Sequence, residues 1–119
     1  MCPTDKFDEL HIWKEARNLV KEVYFQLQEN ENEQFCKIVR RTAMAVLCNI
    51  AEGYSSGSQV VLHSFLVEAA GCCHEIRYFL EKARTHKYLN EEGIEKVGRI
   101  CINMLMGIKQ MLQKMDDSK

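Results

Sequence analysis

Catalysis and ligand binding need polar groups that converge, and this chain offers few arrangements that can. His11 and Glu15 stand four residues apart, on one face of a helix, where such a pair either shares a metal or makes an ordinary surface contact. Cys72, Cys73 and His74 are consecutive. On a helix each points about 100° from the next, so they make neither a thiol–imidazole pair nor a metal clasp. No Glu-x-x-His sequence occurs, which removes the usual helical di-iron carboxylate site, and His63 and His86 also lack ligand spacing. Gly53 and Gly57 enclose Tyr-Ser-Ser and are not followed by Gly-Lys-Ser, so there is no phosphate-binding loop. The expectation is a protein that is not an enzyme and carries no metal or cofactor.

The elements that hold these residues are all helical. The chain has 119 residues, 46% hydrophobic and 28% charged, with one Pro and six Gly. That length holds one core, and so little turn chemistry argues against a sandwich or barrel. No apolar run is long enough to cross a bilayer. A first helix is predicted over 8–28, capped by Asp8, with Ile12, Ala16, Leu19, Val20, Val23 and Leu27 at three-to-four spacing. A second runs over 33–54 on Phe35, Val39, Ala43, Val46 and Ile50. The third, 58–86, starts at Ser58 and carries Leu62, Phe65, Ala69, Cys72, Ile76, Phe79 and Ala83, with Leu66, Ala70, Cys73 and Leu80 widening the stripe. Gly71 inside it implies close approach of a neighbouring helix. The fourth, 90–114, is capped by Asn90 and buries Ile94, Val97, Cys101, Met104, Ile108, Met111 and Met115. Residues 115–119 read as a short disordered tail. The fold class is therefore all-α, an antiparallel up-down four-helix bundle forming a single domain over 1–119.

Helix two carries more than one bundle asks of it. Opposite its main stripe lie Ile38, Arg41, Ala45, Cys48, Asn49 and Glu52, small or apolar residues around three polar ones. A helix apolar on most of its circumference is buried on most of it, which predicts a symmetric homo-oligomer. Arg41, Asn49, Glu52 and Glu75 then fall on or beside buried faces. Buried charges must pair, so these four form a structural network, or else Arg40 and Arg41, with Lys37 one turn earlier, make a phosphate-contacting patch at a subunit interface.

Six cysteines (Cys2, Cys36, Cys48, Cys72, Cys73, Cys101) without a leader-like N-terminus read as reduced thiols, mostly small core hydrophobes, in a cytoplasmic protein.

Residues 40–58 include Arg40-Arg41 and then Asn49-Ile50-Ala51-Glu52-Gly53. With Leu10-His11-Ile12-Trp13 and Lys87-Tyr88-Leu89, this pattern resembles the bacterial four-helix-bundle proteins encoded by intervening sequences in ribosomal RNA genes. That family includes the accessory variability proteins of diversity-generating retroelements. The resemblance implies a homopentameric barrel that binds a reverse transcriptase and nucleic acid, RNA or DNA, through a basic surface. The chain departs from the family pattern at Leu47, Ser56, Val60 and Val61, where Pro, Arg and charged residues are usual.

The net charge of −1 hides an uneven spread. The segment 77–114 is basic, and its cations Arg77, Lys82, Arg84, Lys87, Lys96, Arg99, Lys109 and Lys114 are the candidate nucleic-acid contacts, with Lys37 and Arg40 from helix two. The alternative is a protein-interaction bundle without a nucleic-acid role, its lysines ordinary solvated partners of nearby carboxylates.

Overall fold

The computed structural model describes residues 6–118. They form α1 (Lys6–Leu27), α2 (Glu33–Ser55), α3 (Gln59–His86) and α4 (Glu91–Asp117). Each helix packs on its neighbours in the chain, and α1 closes onto α4. Among the described residues the backbones of the two diagonal pairs, α1 with α3 and α2 with α4, stay apart, so the four helices stand at the corners of a square, running up and down in turn. The bundle measures 47 × 20 × 19 Å.

Capping chemistry sets the helix ends. Asn32 accepts from Phe35 N at the start of α2, Ser58 from Val61 N at α3, and Asn90 from Gly93 N at α4. Lys87 closes α3 in the left-handed region, φ 59°. The α1–α2 and α3–α4 connections lie side by side at one end of the bundle. There Asn30 Nδ2 donates to the Tyr88 carbonyl at 2.6 Å, and the Phe35 and Tyr88 rings meet at a tilt of 51° with centroids 5.1 Å apart.

The helix bounds differ from the sequence expectation at both ends of the chain. Asp8 is not a cap but lies within the first turn of α1, where it accepts from Lys114 Nζ at 2.8 Å. The expected tail is helical through Asp117, because Met115 continues the apolar stripe of α4 and is buried. Lys119 and Cys2 lie outside the described residues.

The core follows the periodicity on α1, α2 and α4, including all seven stripe residues of α4. On α3 the buried line is Leu62, Leu66, Ala69, Cys73, Ile76, Leu80 and Ala83. Phe65, Cys72 and Phe79, expected at its centre, are half-buried beside it. The centre of the square takes the narrower side chains and leaves the two phenylalanines to the seams.

The close approach expected at Gly71 is found at Gly53 instead. A Cβ on Gly53 would meet Leu62 Cδ1 at 3.0 Å and Phe65 Cβ at 3.1 Å, whereas Gly71 has nothing within 4 Å and faces outward. Gly53 is what lets the end of α2 lie against the start of α3. We expect Gly53→Val to lower the unfolding free energy by about 1–3 kcal/mol, the usual cost of overpacking, measured as a shift in the urea midpoint. An unchanged midpoint would show that the contact is not close.

Candidate interaction surfaces

The paired arginines of the motif separate into two roles because successive helix positions diverge by about 100°. Arg40 turns toward α1. Its guanidinium donates to the Leu27 carbonyl at 3.3 Å and lies 5.3 Å from the Tyr24 ring centroid. The last turn of α1 has no basic residue of its own, so Arg40 supplies from α2 the positive charge that this helix end favours. Arg41 is exposed on the far side. Arg40 is thus engaged in holding α1 to α2 and does not stand free as a phosphate contact.

The Asn-Ile-Ala-Glu-Gly block divides in the same way. Ile50 and Gly53 belong to the core and the α2–α3 contact, while Glu52 is exposed. Asn49 Nδ2 reaches Cys72 Sγ at 3.8 Å across the α2–α3 seam. Within the subunit Arg41, Glu52 and Glu75 are all exposed, and among the described residues none of them enters an ion pair. The network drawn from periodicity is therefore not closed inside one subunit; its members line an outer face with Ala45 and Cys48. Ile38 and Met44, each 37% exposed, continue that face along α2.

Half of the basic segment's eight cations are paired with carboxylates close at hand. Arg84 bonds both Glu81 and Glu91, Lys96 lies 3.2 Å from Glu92, Arg99 2.7 Å from Glu95, and Lys114 is held by Asp8. The hydrogen bond from Arg84 holds the Glu91 carboxyl below its ordinary range. Arg77, Lys82, Lys87, Lys109 and Lys37 are exposed and, among the described residues, form no ion pair. They do not gather into one patch. Lys82 and Lys87 sit at the turn end, while Lys109 lies more than halfway down α4, about 25 Å along the helix axis from its start.

The thiols of Cys36, Cys73 and Cys101 are buried core atoms. Burial pushes Cys101 up to about 12 and raises Cys73 as well, with Cys101 and Cys72 adding to the second shift. Cys72 is raised by burial first, then by Glu75 and Glu68. Cys48 is exposed. Among the described residues no three His, Cys, Asp or Glu side chains gather as a metal site, and no helix is long and apolar enough to cross a membrane.

The arginine assignment is directly testable. Arg40→Ala should cost about 1–2 kcal/mol, from one hydrogen bond to a charged group and one cation–π contact. Arg41→Ala should stay within about 0.5 kcal/mol, as an exposed side chain does. Urea unfolding of the subunit in dilute solution measures both, and equal losses would overturn the division of roles.

Comparison with known proteins agrees with this architecture. A crystal structure of a protein of unknown function from the S23 ribosomal protein family, from Bacteroides thetaiotaomicron, superposes with a TM-score of 0.82 at 16% identity. The match covers 89% of this chain and 98% of that one, and at this identity the likeness is one of fold. A comparison with curated proteins gives no significant match. In sequence, residues 8–114 match the 23S rRNA-intervening sequence protein family from the first turn of α1 nearly to the end of α4, and the chain belongs to that family.

Proposed function

We propose that this chain is a non-enzymatic scaffold, the repeating unit of a symmetric homo-oligomer in the cytoplasm, with the outer side of α2 at its subunit contact. The observation that carries the reading is the composition of that side. Ile38, Met44 and Cys48 are exposed there with Ala45 partly so, and the three charges among them, Lys37, Arg41 and Glu52, enter no ion pair among the described residues. A solvent-facing helix side is ordinarily rich in Lys and Glu, whereas small and apolar side chains allow a second surface to come close. The family resemblance puts the number of subunits at five. A ring built by rotation joins two different faces of each subunit, so α2 meets a surface other than itself.

A second reading has the oligomer hold RNA or DNA and serve a nucleic-acid-processing partner such as a reverse transcriptase. Its support is the set of exposed cations without carboxylate partners: Arg77, Lys82, Lys87 and Lys109. With so many of their neighbours already paired, the contact would be weak, confined to phosphates and lost with added salt. The scaffold reading rests on a continuous face and is the better supported of the two.

Light scattering at micromolar concentration tests the scaffold reading. The expected mass is a multiple of the 13.9 kDa subunit, five-fold by the resemblance. A single species of 13.9 kDa would refute it.

A further inference from the structure

Two faces of the subunit carry charge that enters no ion pair among the described residues, and the two are opposite in sign. On α1, Lys14, Arg17 and Lys21 are exposed directly opposite the core stripe, and among the described residues none enters an ion pair. Leu10 and Phe25, 60% and 61% exposed, extend the same line at either end. On α3, Glu68 and Glu75 are exposed and enter no ion pair among the described residues, with the bare backbone of Gly71 between them. Both carboxylates act on the Cys72 thiol, which places them beside the seam where Asn49 of α2 meets α3.

The two lines have the same spacing in the same chain direction. Lys14, Arg17 and Lys21 stand at steps of three and four, and so do Glu68, Gly71 and Glu75. Each line spans about 10 Å of helix in the middle part of its element. In an up-down-up-down bundle α1 and α3 run parallel. Rotation about an axis along the bundle keeps α1 of one copy parallel to α3 of the next, so the matching directions suit a ring. Gly71 weakens a helix interior, and a Cβ built there would meet nothing within 4 Å among the described residues. A missing side chain opposite the long Arg17 leaves room for its stem.

Resting on the scaffold reading, we infer that the outer face of α1 docks onto the α2–α3 seam of a second copy, with Lys14 and Lys21 facing Glu68 and Glu75 and Arg17 crossing at Gly71. The occupant of the seam is this same chain. The contact is heterologous, which propagates around a ring and leaves no α1 face and no seam uncovered once it closes. It also supplies the ion-pair partner that Glu75 lacks among the described residues of the single subunit. Because the charges oppose one another across a rim open to water, added salt weakens the contact.

Charge reversal tests it. Lys14→Glu/Arg17→Glu/Lys21→Glu, checked by circular dichroism to remain helical, should raise the concentration for half-assembly at least tenfold in light scattering. The neutral set Lys14→Gln/Arg17→Gln/Lys21→Gln should do so more weakly. Glu68→Lys/Glu75→Lys should match the first variant. A chain carrying all five reversals should assemble again. If the wild type is monomeric, the scaffold reading itself fails. An oligomeric wild type whose α1 variants assemble unchanged overturns this contact alone. So does failure of the five-fold variant to recover. If the α1 variants keep their mass but lose binding to a labelled single-stranded oligonucleotide, the face belongs to nucleic acid and the inference is wrong.

Discussion

A square bundle of four helices covers little more than one side of each, and α2 carries small and apolar residues on the side that the bundle leaves open. Most of the structure can be read from that constraint. One side of α2, from Phe35 through Val39, Ala43, Val46 and Ile50, is satisfied by the core. The other holds Ile38, Ala45 and Cys48 among Arg41, Asn49 and Glu52, and no helix of the same chain lies over it. Burial of apolar area at roughly 25 cal/mol per Å² is the force that makes covering such a face favourable, and only another molecule can supply the cover. On the scaffold reading, the residues of that side are contact residues that position copies of the chain.

The motif around Asn49–Gly53 serves both sides at once. Ile50 fills the core, and Gly53 lets α3 begin against the end of α2. Glu52, one residue before Gly53, points away from that packing, while Asn49, one before Ile50, reaches Cys72 at the edge of the α2–α3 seam. The same division separates Arg40, bound to the Leu27 carbonyl and over Tyr24, from Arg41 on the outer face. A short block can therefore fix the fold and mark a contact surface, because one helical step of about 100° moves a side chain from one task to the other.

Much of this was legible in the sequence, for reasons that can be stated residue by residue. The strict three-to-four rhythm of α4 admits one buried line, and all seven residues from Ile94 to Met115 occupy it. α3 carries two adjacent apolar lines, and periodicity cannot choose between them. The size of Phe65 and Phe79 against Leu66 and Leu80 decides it only once the neighbouring helices are in place. Gly71 and Gly53 look alike in sequence; only packing shows which is crowded. The charge map was least legible. Lys114 meets Asp8 from 106 residues away, and Arg84 reaches across a turn to Glu91. Summing charge along a segment counts such cations as free, and the basic segment looked stronger than it is. Conversely Lys14, Arg17 and Lys21 sit in a half of the chain whose sum is acidic, and their shared face was hidden by that sum.

Concentration-dependent hydroxyl-radical footprinting measures the cover of α2 most directly. Met44 lies on the face in question, while Met106, 57% exposed on α4, reports on a surface outside the contact. As the protein is concentrated from nanomolar to tens of micromolar, oxidation of Met44 should fall several-fold while that of Met106 stays level. Equal oxidation of Met44 at every concentration would mean that the outer side of α2 faces water, and the account would be wrong at its centre.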